Sequence, residues 1–295
     1  MTDRVLDISE SAAALSVRSG NVVIEREDRA PVMIPILELA VLIVSHPRVR
    51  YSQAVLAGIA AQGGAFVVCD EKHSPVGMLL PLAAHSLQSE RFAIQAEASL
   101  PAKKRAWRTI IRAKIRAQGR VLQEKAGTDL GFARIAMRVR SGDPSNLEAQ
   151  ASRMYWPALF GSGFRRNRDA QDINAHLNYG YAILRAATAR ALCAAGLHPA
   201  LGVHHHNRFN PFCLADDLME PYRPLVDRVV HGIAEGRGIN APLDRDARTK
   251  LLAVLGGRFT AGDESRTLFD WLSQAASSLR AVLMDGARDL ALPEI

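Results

Sequence analysis

The segment KKRAWRTIIRAKIRAQGRVLQEK, residues 103–125, determines the fold class of this 295-residue chain. In it Trp107, Ile111 and Ile115 recur every four positions, the spacing that places side chains on one face of an α-helix. Gly127 follows the segment, and a glycine just after the last periodic residue is a common helix end. The pattern predicts a long amphipathic helix, and helical spacing continues through most of the following chain.

The residues before this segment have a different pattern. Short β-branched runs are separated by turn signals such as Ser19–Asn21, which is typical of a hairpin, and only residues 52–62 show helical spacing. We therefore predict an α+β protein of two domains. Residues 1–82 form a small β-rich, β-sandwich-like domain that is suited to subunit contacts, and residues 83–295 form a larger all-α domain.

Composition narrows the classes of function. A hydrophobic fraction of 48% is enough to bury a large core, and the formal net charge of +7 favours a polyanionic partner such as nucleic acid. Cys69, Cys193 and Cys213 have no CxxC spacing, so we expect neither a disulfide framework nor a zinc site. The first residues lack the apolar core of a signal peptide, and no apolar run is long enough to cross a bilayer. We expect a cytoplasmic protein without a membrane partner.

Two basic clusters are candidates for DNA contact. Lys104, Arg108, Arg112 and Arg116 share one face of the predicted helix, where four like charges destabilise the helix unless an anion offsets them. The alternative is an ordinary solvated face. A second cluster in a glycine-flanked loop is a phosphate clamp or simply a mobile charged loop, and it contains Arg165, Arg166 and Arg168.

The stretch GVHHHNRFNPFCLADDLME, residues 202–220, has the strongest chemical signal. If the chain is helical from Leu214, Asp217 and Glu220 share one face. The histidine run 204–206 lies just before them, and imidazole beside carboxylates suits Mg²⁺ or Mn²⁺. The alternative is a set of surface histidines before a helix whose acids face solvent.

Five stretches together resemble the family of the CRISPR-associated adaptation integrase, the first of the two Cas proteins common to spacer acquisition. The resemblance covers nearly the whole chain, and DDLMEPYRP is most similar to the type II branch. The stretches are residues 34–82, NLEAQASRMYW (146–156), INAHLNYGYAILRA (173–186), GLHPALGVHHH (196–206) and LADDLMEPYRPLVD (214–227).

The resemblance implies a set of site residues. Glu148, His205 and Glu220 match the family's catalytic metal ligands for Mg²⁺ or Mn²⁺, and Asp217 matches a supporting acid. The family spacing from Gly202 selects His205, whereas a slip of one residue would select His204 or His206 instead. The DNA-contacting residues would be Lys104, Arg108, Arg112, Arg153, Arg165 and Arg166. Matching motif positions that contact DNA or brace the site are Tyr155, Asn178 and Tyr179.

The resemblance also implies an activity and partners. The family joins the 3′-hydroxyl ends of a protospacer duplex to the CRISPR repeat by metal-dependent transesterification, and the same chemistry with water gives endonuclease activity. The chain would pair as a homodimer through its β domain, and two such dimers would flank a dimer of the small second adaptation protein in a heterohexamer. The type II effector nuclease is a further candidate partner.

Two alternatives do not require the resemblance. An unrelated metal-dependent DNA nuclease would cleave DNA without joining 3′-hydroxyl ends. A non-enzymatic DNA-binding scaffold, in which the acids only cap helices, would bind DNA without any dependence on metal.

Overall fold

A computed structural model describes residues 4–71, 73, 75–81, 85–167 and 169–294 of the chain. The predicted domain boundary at residues 82 and 83, and Arg168 of the second basic cluster, lie outside the described residues.

Among the described residues before position 80, the structure has eight strands, one α-helix and a 3-10 turn at Ile36–Glu38. The strands are β1 (Arg4–Ile8), β2 (Ala14–Arg18), β3 (Asn21–Arg26), β4 (Arg29–Pro35), β5 (Leu39–Val44), β6 (Arg50–Tyr51), β7 (Ala65–Cys69) and β8 (Pro75–Leu79), and the helix is α1 (Gln53–Ala61). The strands form two four-stranded sheets, in the orders β1-β5-β7-β8 and β4-β3-β2-β6.

The two sheets share one apolar core. In the first sheet β5 pairs in parallel with β1 and β7, and in the second β3 pairs antiparallel with β2 and β4. Leu15 and Val22 of the second sheet pack in the same buried cluster as Leu42 and Phe66 of the first, together with Val55 of α1. The arrangement confirms the β-rich N-terminal region that the sequence predicts.

The remainder of the described chain is mainly helical. Its helices are α2 (Gln88–Glu97), α3 (Leu100–Ala126), α4 (Phe132–Arg138), α5 (Leu147–Phe160), α6 (Ile173–Ala194), α7 (Cys213–Met219), α8 (Arg223–Arg237), α9 (Arg245–Gly256) and α10 (Leu268–Met284). A hairpin of β9 (Arg258–Ala261) and β10 (Glu264–Thr267) interrupts them, and the sequence analysis did not predict it. Within the described residues, no helix has the length and apolar character needed to cross a membrane.

Helix α3 follows the predicted pattern closely. The Ser99 side chain accepts a hydrogen bond from the Ala102 N–H at its start, and Gly127 ends the helix in the left-handed conformation, with φ 71°. The predicted stripe of Trp107, Ile111 and Ile115 is fully buried. Since this face packs against α5, α8 and the 220–222 turn, α3 forms one wall of the helical core.

Pro221 and Pro224 lie within the helical pattern of residues 214–231, from which the sequence predicts one helix with kinks at these prolines. The structure has two helices there. Helix α7 ends at Met219, a 3-10 turn spans Glu220–Tyr222, and α8 begins at Arg223. Proline lacks an N–H, so it tolerates the first turn of a helix but not its interior. The break places Glu220 at the junction of two helices.

Candidate active site

Three segments far apart in sequence line one cavity of about 270 Å³. Glu148 comes from the first turn of α5, His205 from the loop before α7, and Glu220 from the turn between α7 and α8. The other lining residues are Lys114, Gln118, Ser152, Trp156, Arg166, Tyr181, Arg223 and Asp227. Three carboxyl groups, an imidazole and three cationic side chains therefore face the same small space.

The start of α5 fixes the position of Glu148. The Asp143 carboxylate accepts hydrogen bonds from the N–H groups of Leu147 and Glu148, each at 3.0 Å, and Asn146 accepts one from Ala149. These bonds satisfy amides that have no partner within the helix. Because three of the first amides are held, the Glu148 backbone is locked at the edge of the cavity.

Glu220 is buried and surrounded by cations. Its Oε2 lies 2.6 Å from Lys114 Nζ, and its Oε1 lies 2.9 Å from Arg223 Nε. Burial opposes ionisation of this carboxyl, but Arg223 and Lys114 outweigh it, so the pKa of Glu220 is lowered. The carboxylate is therefore charged at neutral pH despite its burial.

Asp217 holds the histidine loop in place from beneath. It has no exposed surface, and its Oδ2 accepts hydrogen bonds from the N–H groups of Val203 at 2.8 Å and His204 at 2.9 Å. Its Oδ1 lies 2.5 Å from His205 Nδ1. This hydrogen bond raises the pKa of His205 and leaves Nε2 as the ring nitrogen that can bind a ligand in the cavity.

Gly202 makes this turn possible. A Cβ at this position would overlap the carbonyl oxygen of His205 and approach Asp217 Oδ2 to 3.0 Å. Only glycine allows the backbone to come this close. The glycine that anchors the sequence spacing is thus also a steric requirement of the loop.

The three consecutive histidines have different surroundings. The His204 ring stacks on Trp107 of α3, with 4.1 Å between centroids and parallel planes, and burial lowers its pKa. His205 lines the cavity, whereas neither His204 nor His206 does. The stacked ring holds the loop against α3, and His205 is the only one of the three that lies with Glu148 and Glu220.

An ammonium group lies between the two glutamates. Lys114 Nζ is 2.6 Å from both Glu148 Oε1 and Glu220 Oε2, and the two carboxylates raise the pKa of Lys114 against the effect of burial. In the described part of the chain, no three acidic, histidine or cysteine side chains are grouped tightly enough to hold an ion as they stand.

The donors nonetheless fit a divalent cation in kind. The two glutamate carboxylates and one imidazole nitrogen form a ligand set that is mostly oxygen, which is the type that Mg²⁺ and Mn²⁺ accept. The position of Lys114 Nζ marks where positive charge is already favoured between Glu148 and Glu220. A metal at this point would take over the role of the ammonium, so Lys114 would have to move aside.

Comparison with known proteins identifies the family of this chain. The family described as "CRISPR associated protein Cas1" matches residues 6–252. The chain belongs to the Cas1 family. A "CRISPR-associated endonuclease Cas1" from Neisseria meningitidis serogroup C is 37% identical over 300 residues, covering 100% of this chain and 97% of the relative.

Solved structures share the Cas1 fold of this chain. A "casposase bound to integration product" has a TM-score of 0.79 at 17% identity, covering 97% of this chain and 92% of the casposase. A Cas1 protein from Thermotoga maritima has a TM-score of 0.76 at 16% identity, covering 95% and 97%. A "Cas6-RT-Cas1–Cas2 complex" has a TM-score of 0.78 at 18% identity, covering 99% of this chain and 36% of that one. The likeness confirms the predicted fold class.

The residues predicted to contact DNA fall into two groups. Arg153 and Lys104 are exposed, and Arg108 is half-buried. The others make hydrogen bonds within the protein. Arg112 donates to the carbonyl oxygens of Val139 and Met137 near the end of α4, and Arg165 donates to the carbonyl oxygens of Ser162 and Phe164. Arg166 donates to the side-chain amide oxygens of Asn174 and Asn178. Arg166 also lines the cavity of the candidate active site. The basic face of α3 is therefore partly structural, since Arg112 and Arg116 both bind other parts of the chain.

Two of the predicted bracing residues are buried. The Tyr155 hydroxyl donates to Asp227 Oδ2 at 3.0 Å, and Tyr181 donates to Asp227 Oδ1. Burial raises the pKa of Asp227 to about 7. The Tyr179 hydroxyl donates to Asp7 Oδ2 at 3.0 Å, which links α6 to β1. Tyr155 and Tyr179 therefore brace the protein and have no surface for DNA.

The sequence analysis missed Lys114 and Arg223 as site residues. Lys114 lies on the apolar stripe of α3, three positions after Ile111 and seven after Trp107. A lysine at such a position is expected to be buried and therefore to need an acidic partner. Arg223 follows Glu220 by three positions, a spacing that brings side chains together on a helix. Both signals were present in the pattern.

Proposed function

We propose that this chain is a metal-dependent DNA integrase and endonuclease of CRISPR adaptation, which joins protospacer 3′-hydroxyl ends to the CRISPR repeat. The observation that carries the proposal is the convergence of Glu148, His205 and Glu220 on one cavity that is also lined by Lys114, Arg166 and Arg223. Membership of the Cas1 family and the names of its relatives, an endonuclease and a casposase with its integration product, support it.

In the proposed reaction a 3′-hydroxyl oxygen attacks the phosphorus of a phosphodiester at the repeat boundary. The new phosphorus–oxygen bond forms as the bond to the leaving 3′-oxygen breaks, and a proton passes from the attacking hydroxyl to the leaving oxygen by way of solvent. A divalent cation held by Glu148, His205 and Glu220 would supply Lewis-acid stabilisation of the charge on the reacting oxygens. Water in place of the 3′-hydroxyl gives hydrolysis.

The chain's own residues prepare the site for this reaction. Asp217 fixes the tautomer of His205 by accepting from Nδ1, so that Nε2 carries the lone pair. Arg223, held by Glu220, and Arg166, held by Asn174 and Asn178, provide oriented positive charge for phosphate oxygens. Because Arg223 is held by an ion pair and Arg166 by hydrogen bonds, these guanidinium groups need little reorganisation when the phosphate enters.

The proposed binding partners of the protein are those that its membership of the Cas1 family suggests. Double-stranded DNA, as protospacer and repeat, and the small second adaptation protein are the proposed partners, and the Cas1–Cas2 complex among the structural neighbours supports the second of them. A homodimer through the β domain is consistent with its exposed apolar side chains, including Leu37 and Val76, which are 65% and 67% exposed. A heterohexamer, contact with the type II effector nuclease, and cytoplasmic location complete the proposal.

A strand-joining assay tests the function. Labelled protospacer duplex is incubated with a supercoiled plasmid bearing the repeat, the second adaptation protein and Mg²⁺ or Mn²⁺. The variants E148Q and E220Q should lose joining by at least about 100-fold, the scale expected when a group that stabilises the transition state is removed. They should keep the wild-type affinity for DNA, because neither residue is cationic. E90Q, which alters an exposed acid of α2, is the matched control and should join normally.

The same assay can contradict the proposed function. Joining by purified E220Q, or joining by the wild-type chain in the presence of excess EDTA, would remove the metal-dependent assignment. Metal-dependent cleavage without any joining would favour the unrelated nuclease instead.

A further inference from the structure

A second cavity, of about 440 Å³, lies between the two regions of the fold. One wall consists of residues 7–11 together with Arg26 and Arg29, at the facing ends of β3 and β4. The other wall is helix α9, which contributes Arg245, Arg248, Thr249 and Leu252. This cavity shares no lining residue with the catalytic cavity.

Arg248 is already engaged in holding the two regions together. It is buried, it donates to Glu10 and to the carbonyl oxygen of Leu243 at 3.0 Å, and its Nε lies 3.5 Å from Asp7 Oδ2. The Arg248 guanidinium also lies 3.2 Å from His73 Nε2. Arg248 thus forms ion pairs with both carboxylates that line this cavity, those of Asp7 and Glu10.

The other three arginines of the cavity have no such partner. Within the described residues, the side chains of Arg26, Arg29 and Arg245 make no hydrogen bond or ion pair. Their positive charges face a cavity whose acidic groups are already paired with Arg248. Like charges that converge on one cavity are unfavourable unless an anion is bound there.

We propose that this cavity binds a phosphate group and that the bound phosphate bridges the N-terminal and helical regions. Guanidinium groups match phosphate oxygens in geometry and form paired hydrogen bonds with them. Arg26 and Arg29 would hold the phosphate from the sheet side and Arg245 from α9. The volume lies within the range of small-ligand sites and accommodates a nucleotide as well as a free phosphate ion.

The phosphate could come from a small molecule or from the backbone of DNA, and thermal unfolding and DNA binding distinguish the two. The melting temperature of the full chain is measured in sodium phosphate, in a nucleoside 5′-monophosphate and in sodium chloride of equal ionic strength. The affinity for a DNA duplex is measured in parallel at fixed salt. The test variant R29A/R245A removes two charges of the cavity. The control variant R134A/R138A removes two exposed charges from α4.

A small-molecule site predicts that phosphate or the monophosphate raises the melting temperature of the wild type and of the control by about 3 °C at ten times the dissociation constant. The test variant should lose that rise. A DNA backbone site predicts no such rise, but a duplex affinity reduced at least about threefold in the test variant relative to the control.

Equal behaviour of the test and control variants in both measurements would overturn the proposal. Should R29A/R245A fail to fold, R26Q tests the same cavity with one smaller change, against R18Q as its control, and the same comparison applies. Neither measurement requires strand joining, so the result is independent of the proposed catalytic function.

Discussion

Replacement of Lys114 with methionine removes the ammonium that lies between two glutamates of the candidate active site. Glu148 Oε1 and Glu220 Oε2 each lie 2.6 Å from Lys114 Nζ. The two oxygens are therefore at most about 5.2 Å apart, and two unit charges at that distance repel by about 3 kcal/mol at an effective dielectric constant of about 20. We expect K114M to lose about 3 kcal/mol of unfolding free energy, which is the lower end of the range for breaking a buried ion pair. The loss should not be larger, because Arg223 still neutralises part of the charge on Glu220.

The metal hypothesis adds a second expectation for the same variant. If Glu148 and Glu220 bind a divalent cation, Mn²⁺ should restore most of the stability lost by K114M. The wild type should gain less from Mn²⁺, because the ion must first displace the ammonium.

Urea unfolding at pH 7.5, in EDTA and in Mn²⁺, measures both expectations. K104M is the matched control, because Lys104 lies on the same helix but is exposed, and such substitutions usually change stability by less than about 0.5 kcal/mol. A K114M protein as stable as K104M in EDTA would show that the repulsion is absent. An equal response of the two variants to Mn²⁺ would show that these acids do not hold the ion.

Three further predictions concern the histidine loop, the buried aspartate and the basic helix. H205A should abolish strand joining while H206A retains it, and H204A should chiefly lower the melting temperature because its ring stacks on Trp107; an active H205A protein would transfer the ligand role to a neighbour. Burial raises the pKa of Asp227 to about 7, above the ordinary value of about 3.9, so the stability that its bound proton contributes is complete below about pH 4 and is lost as the pH rises through 7. The urea midpoint of unfolding should therefore decrease more between pH 5 and pH 8 in the wild type than in D227N. An equal decrease in the two proteins would contradict the raised pKa. Duplex affinity should decrease steeply with salt, and R108A should reduce that slope by about one unit relative to E90Q if the α3 face follows the phosphate backbone; an unchanged slope would assign this face to solvent.

The arginine-rich junction between β1 and α9 gives the N-terminal region a defined place against the helices. Tyr179 of α6 and Arg248 of α9 both contact Asp7 of β1. Because these groups are buried, loss of one partner would leave an unpaired polar group without water. Helices α6 and α9 and the sheet region are therefore connected by side-chain contacts as well as by the chain between them.

Much of the fold could be predicted from the chain alone. The stripe of Trp107, Ile111 and Ile115 predicted α3. Pro221 and Pro224 predicted kinks in one helix, and the structure separates α7 from α8 at Pro221. These signals are local, because helical periodicity and the missing N–H of proline act within a few residues. The hairpin at 258–267 was not predicted, since its two four-residue strands, RFTA and ESRT, are too short and polar for a clear alternation.

The arrangement of the candidate site depended on contacts between distant segments. The sequence placed three acids and a histidine run in family motifs and selected His205 by its spacing from Gly202, with His204 and His206 as alternatives. It did not pair Lys114 with any acid. The contacts that arrange the site join residues from 12 to 106 positions apart, as with His205 and Asp217 or Lys114 and Glu220. They also include the stacking of His204 on Trp107 and the ion pair of Lys114 with Glu148. Periodicity reports which face of an element is buried, whereas the choice of partner across the core depends on how whole helices pack, and that information is not local.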